Sequence, residues 1–245
     1  MYDRQKVIDT ALAEVGYLEK ETNAQLDSKT GNAGDENFTK YARDLASVNF
    51  FNGKKQGHAW CAVFVAWSFW KTYGKAAALK LLCQPVKENC GAGCKYALNY
   101  FKQKGQLHTS NPQPGDVIYF YSSDKSTIAH TGLVYKVTGS KVYTVEGNTS
   151  GASGVIANGG GVCKKSYSRN SGCIAGYGRP AYGDQVKQTD QGASYITYTI
   201  KQGDTLWGIA KQHLGAGSRY KEIKELNGLT SNTIRAGRTL RIPQK

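Results

Sequence analysis

Three side chains in this 245-residue chain have the types and order of a nucleophile, a base and an orienting acid: Cys61, His130 and Glu146. Cys61 stands in HAWCAVFVAW, at the head of a run that is apolar on nearly all sides, which predicts a buried helix from about Cys61 to Gly74. A thiol at a helix start feels the positive end of the dipole, which can draw its pKa from about 8.5 to about 3.5–7.5 and populate the thiolate. The same position also suits a cysteine that is merely a small hydrophobe. His130, in AHTGLVY at the head of an expected strand, favours the chemical reading. An imidazole with an ordinary pKa of about 6.5 takes a proton from a thiol and returns it to a leaving amine near neutral pH. Glu146 lies in VYTVEGN with Asn148 two residues on. Strand alternation puts Val142, Thr144, Glu146 and Asn148 on one face, so the acid or the amide can reach a histidine on a neighbouring strand and fix its tautomer.

Local patterns predict how these groups are carried. Val7, Ile8, Leu12 and Val15 recur at helical spacing and Gly16 ends the run. A polar loop from Thr22 to Glu36 follows, then a short helical piece around Phe38, Tyr41, Ala42 and Leu45, the Cys61 helix, and another helix from Cys94 to Lys104. From Asn111 the chain changes to short runs rich in Val, Ile, Tyr and Thr between turn residues: GDVIYFY, AHTGLVYKVTG, KVYTVEGN and CIAGYGRPAY. Helices first and antiparallel strands afterwards make an α+β domain over residues 1–182. Residues 183–196 lose apolar periodicity and read as a linker. Residues 197–245 form a compact β-α-α-β unit: YTIKQG, DTLWGIAKQHL, RYKEIKELNG and RTLRIP.

The order of Cys on a helix, then HTGLV and VEGN on consecutive strands, resembles the CHAP family of cysteine, histidine-dependent amidohydrolases and peptidases, within the papain-like NlpC/P60 group. The resemblance implies a papain-like fold with helices packed on an antiparallel sheet. It also implies that Cys61 attacks a peptidoglycan amide, His130 acts as base then acid, and Glu146 orients the histidine, with Asn148 assisting or substituting. The Cys61 amide is an expected oxyanion donor; Gln56 and His58, just upstream, are weaker candidates for a second. The last unit resembles a LysM module, a binder of N-acetylglucosamine-containing glycans. By that resemblance Gly203, Asp204, Thr205 and Leu206, with Asn227, Gly228, Leu229 and Ile234, line the glycan groove. Asp204 or Thr205 equally suits a helix N-cap and Asn227-Gly228 a helix stop, and Trp207, Ile209 and Leu214 read as core.

Together these imply a peptidoglycan hydrolase of phage endolysin type, cutting a stem or cross-bridge peptide bond; an N-acetylmuramoyl-L-alanine amidase, a host autolysin and a non-catalytic glycan binder are the alternatives. The expected partner is bacterial peptidoglycan, both its glycan and its stem peptides. Net charge is +14, with 32 Lys and Arg against 18 Asp and Glu, which suits an anionic surface. No concentrated basic run or nucleic-acid motif is present, so nucleic acid is not an expected partner. Neither is a membrane, since no apolar run approaches a spanning length. With no signal-like segment at its start, the chain is expected in a host cytoplasm before lysis and on the wall afterwards. Its six cysteines then read as reduced thiols, although Cys163 and Cys173 suit a bridge if oxidised. Cys83, Cys90 and Cys94 lack the partners of a zinc site, and Asp27, Asp35 and Glu36 lack calcium-loop spacing, so no metal or other cofactor is expected.

Overall fold

The computed structural model describes residues 2–85, 90–183, 195–227, 229 and 231–243. They fall into two compact units, a larger one within residues 2–183 and a smaller one built mainly from the residues after 194, with residues 138–141 grouped with the latter. Most of the expected linker therefore lies outside the described residues.

In the larger unit, α1 (Arg4–Ala13) starts at Asp3, whose carboxylate accepts the Gln5 N–H at 2.9 Å. Helix α2 (Lys40–Ser47) starts at Thr39, whose hydroxyl accepts the Ala42 N–H at 3.1 Å. Helix α3 (Cys61–Tyr73) is buried along most of its length and stops at Gly74, at φ +80°, a backbone state that glycine reaches without penalty. Two further helices are α4 (Lys75–Leu81), which the sequence reading passed over, and α5 (Cys94–Gln103).

Six strands follow: β1 (Leu107–His108), β2 (Val117–Tyr121), β3 (Ile128–Val137), β4 (Lys141–Thr149), β5 (Gly161–Ser168) and β6 (Ile174–Gly178). They form one sheet in the order β1-β6-β2-β3-β4-β5. Its central strands are buried on both faces. Val117, Tyr119, Leu133 and Val145 pack with Val7, Tyr41, Phe64 and other helical residues. The alternate positions, Ile118, Phe120, Val134 and Val142, form a second cluster with Tyr167 and Tyr177. Burial on both sides explains why VIYFY is continuously apolar. Strand β5 was not expected, because the two lysines in GVCKKSYS disguise its alternation. Lys165 is nevertheless buried, its Nζ donating to the carbonyls of Ser150 and Ala152, as long cationic side chains do when their tips find acceptors.

The smaller unit pairs β7 (Tyr195–Thr199) with β8 (Thr239–Pro243), antiparallel, around α6 (Leu206–Leu214) and α7 (Tyr220–Leu226). The β-α-α-β order is as expected, but the first strand runs earlier than YTIKQG and takes up Tyr195, Ile196 and Thr197. Its core joins Ile200, Leu206, Ile209, Ala210, Leu214, Ile223, Leu240 and Ile242. Trp207 corrects the sequence reading: it is 53% exposed rather than core. The Lys211 ammonium sits 5.4 Å from its ring, and a methyl group at Gly217 would come within 2.1 Å of that ring. Thr205 is the helix cap, its hydroxyl accepting the Gly208 N–H at 3.0 Å. Thr205→Ala is therefore expected to destabilise the smaller unit by about 1 kcal/mol, read as a lowered transition in calorimetry of the full chain.

Candidate active site

Cys61 is the first residue of α3. Before it, Trp60 is fully buried and its indole N–H donates to the Glu19 carboxylate at 2.6 Å. Burial raises the Glu19 carboxyl above its usual range, and the Trp60 bond works against that rise. Trp60 has no side chain that caps the helix. The first-turn amides of α3 are thus left for other acceptors, and the Ala62 N–H lies against the Cys61 sulfur. The Cys94 sulfur, at the first residue of α5, is 3.3 Å from that of Cys61. The Cys94 hydrogen bond, helped by His130 and the Ala62 amide, holds the Cys61 thiol well below its ordinary pKa against the opposing effect of burial. Cys94 is pushed the other way, by Cys61 and by burial.

His130 and Glu146 are both fully buried, with Nε2 of the imidazole 3.0 Å from Glu146 Oε2. A carboxylate can only accept, so Nε2 carries the hydrogen and Nδ1 is left to exchange a proton with Cys61. Nδ1 is buried and makes no hydrogen bond among the described residues. Burial alone would lower the His130 pKa, but the Cys61 thiol and the Glu146 carboxylate outweigh it and bring it to about 9. The imidazole also stacks on Phe120, its register partner on β2, at 5.9 Å between centroids.

Two hydroxyls hold Glu146. The Tyr167 hydroxyl donates to Oε2 at 3.1 Å, and the Thr144 hydroxyl donates to Oε1. Thr144 followed from strand alternation; Tyr167 sits on the strand that went unrecognised. Two glycines make the room. A methyl group at Gly132 would come within 2.5 Å of Glu146 Cγ, and one at Gly147 within 2.5 Å of Phe64 Cβ and 2.7 Å of Trp60. The glycines of HTGLV and VEGN are therefore spaces filled by the site's own side chains. Gly132→Ala is expected to displace Glu146 and to lower stability by about 1–3 kcal/mol, which thermal melts check.

Asn148 makes no hydrogen bond to His130. The backbone there turns left-handed at φ +55°, which ends the strand alternation, and the buried amide has neither donor nor acceptor paired among the described residues. Gln56 is a loop fastener rather than an oxyanion donor: its amide bonds Thr39 N and O and Asn23 Oδ1. His58 is exposed. All six cysteines are free, Cys163 and Cys173 included. Asp27 is held bidentately by Arg43 at 2.7 Å; the acids that converge are Glu21, Asp35 and Glu36, all exposed.

In the smaller unit, Gly203 (φ +88°) and Thr205 are exposed near the start of α6. Asp204 ties that turn, accepting from Lys201 N at 2.7 Å and the Tyr198 hydroxyl at 2.8 Å. Leu206 points into the core and offers no side-chain surface. The Asn227 amide is committed to β8: it donates to Arg241 O at 2.7 Å and accepts from Arg241 N at 2.8 Å. Leu229 and Ile234 are half-buried, and Gly228 lies outside the described residues.

Comparison with known families matches residues 53–148 to the CHAP domain and residues 198–243 to the LysM domain. Among curated relatives, "Autolysin" of Enterococcus faecalis is 44% identical over 50 residues, 20% of this chain and 6% of that protein. "Probable peptidoglycan endopeptidase LytE" of Bacillus subtilis is 44% identical over 46 residues, 19% of this chain and 13% of that protein. "N-acetylmuramoyl-L-alanine amidase sle1" of Staphylococcus epidermidis is 35% identical over 66 residues, 27% of this chain and 19% of that protein. The chain thus spans less than a fifth of the length of each of these three.

Proposed function

We propose, from the premise that this chain carries a CHAP domain followed by a LysM domain, that it is a peptidoglycan hydrolase using Cys61 as nucleophile. The observation that carries the reading is the buried chain Cys61, His130, Glu146, in which one imidazole nitrogen faces a carboxylate and the other is left for the thiol. In this reading the Cys61 thiolate attacks a wall amide, and the uncapped first turn of α3 receives the oxyanion through backbone N–H groups. The imidazolium protonates the departing amine, and the imidazole then activates the water that hydrolyses the thioester. Glu146 fixes the ring; Asn148, with its amide unpaired, offers a donor and an acceptor to the bound substrate.

The bond we favour is a stem or cross-bridge peptide bond. The LysM domain would hold the enzyme to N-acetylglucosamine-containing glycan through the loops at Gly203–Thr205 and Asn227–Leu229. Because the Asn227 amide is occupied and the Leu206 side chain is buried, those contacts would run through backbone groups and Thr205. We favour a wall-lysing role of endolysin type; the LysM match supports its direction to the wall. No helix among the described residues is long and apolar enough to cross a membrane.

Purified Gram-positive walls digested with the enzyme and analysed by mass spectrometry test the reading. New amine termini in the stem or bridge are expected. Release of L-alanine amines from muramic acid would assign an amidase instead, and wall binding with no new termini would leave a glycan-binding protein.

A further inference from the structure

Acyl transfer through Cys61 and His130 takes no atom from a second thiol, yet Cys94 is in contact with the first. Their sulfurs lie 3.3 Å apart, Cys61 is 4% and Cys94 7% exposed, and each is the first residue of a helix. Ala62 and Ile128 complete a small apolar cluster around them. A disulfide needs about 2.05 Å between sulfurs, so closing the gap takes about 1.3 Å of movement. Among the described residues no other pair of cysteine sulfurs makes such a contact: Cys83 bonds Gln106 and Cys173 lies against Ser171.

We propose that Cys61 and Cys94 form a reversible redox pair, closed to a disulfide by hydrogen peroxide and reopened by a dithiol, so that the nucleophile is protected and switched off together. The switching effect rests on the reading of Cys61 as nucleophile; the disulfide itself does not. Cys61, the more acidic thiol, attacks one peroxide oxygen. The S–O bond forms, the O–O bond breaks and hydroxide leaves, giving a sulfenic acid. The Cys94 sulfur then attacks the Cys61 sulfur, the S–S bond forms, the S–O bond breaks, and water leaves with the Cys94 proton. Two thiols lose two electrons, and peroxide, once its hydroxide is protonated, ends as two waters. A dithiol reverses the state by exchange, becoming a disulfide itself. Without Cys94 the sulfenic acid goes on to sulfinic acid, which dithiols do not reduce.

The full chain, reduced and freed of reductant, is treated with hydrogen peroxide, its remaining thiols are alkylated, and tryptic peptides are read by mass spectrometry. The expected product joins the peptides of Cys61 and Cys94, two hydrogens lighter than their sum. In parallel, wall hydrolysis by the wild type and by Cys94→Ser is followed through peroxide and then dithiothreitol, each normalised to its own reduced rate. The wild type is expected to lose activity and recover it nearly in full, whereas Cys94→Ser recovers about a tenth or less. Sulfinic Cys61 with no linked peptide in the wild type, or equal recovery in both proteins, overturns the proposal. If reduced wild type cuts no wall, the nucleophile reading has failed, and the linked peptide alone still decides the pair.

Discussion

Cys61→Ala is expected to abolish wall hydrolysis, with a loss of about 10⁴-fold or more, while the protein still sediments with walls. The loss is large because the change removes the attacking atom rather than an aid to it. Folding should survive, since Cys61 contributes a small side chain to a four-residue apolar cluster and the helix behind it is anchored by Phe64, Trp67 and Phe69. Release of amines from purified walls and co-sedimentation, measured on one preparation, separate the two effects. Full hydrolysis by the alanine variant would remove cysteine catalysis from consideration. Loss of both activity and binding would point to misfolding, which circular dichroism would detect.

The second large effect is expected for Glu146→Gln, a loss of about 10²–10⁴-fold. Glutamine keeps the volume, but its amide can present N–H to His130 Nε2, favouring the tautomer with the hydrogen on the wrong nitrogen. The Tyr167 and Thr144 hydroxyls also lose a charged acceptor. The pH profile gives a readout that simple unfolding does not. The competent state pairs thiolate with imidazolium. Activity should therefore rise as pH passes the depressed Cys61 pKa and fall as His130 loses its proton near pH 9. Burial works to lower the His130 pKa, whereas Cys61 and Glu146 raise it, so taking away the Glu146 charge should move the alkaline limb to lower pH. An unmoved alkaline limb would mean that Glu146 does not act through His130.

The α+β order, the position of α3 and the two-strand, two-helix plan of the smaller unit could be read in advance because each is written in local periodicity and turn residues. Cys61, His130 and Glu146 were legible for a related reason: each stands at a defined place on an element whose type the pattern reveals. Cys94, 33 residues from Cys61, and Tyr167, 21 from Glu146, were not. Nothing local marks a thiol at one helix start as the neighbour of another, and Tyr167 sits on a strand whose lysines hid it. Asn148 departs from regular strand geometry, with a left-handed backbone at φ +55° that alternation does not foresee. Trp207 shows the converse: its spacing suggests the core, yet it lies along the surface over Gly217, where a side chain would stand in its way.

The crowding around Gly132 and Gly147 bears on how this chain can diverge. Each is one half of a lock whose other half is a large side chain elsewhere: Glu146 for the first, Phe64 and Trp60 for the second. A single change at either glycine meets a collision, and a single truncation of its partner leaves a void, so both paths through one-step mutants descend before they recover. Positions 132 and 146 should accordingly vary as a pair across homologous chains. An alignment in which side chains larger than hydrogen appear freely at 132 while Glu persists at 146 would show that the backbone can give way there.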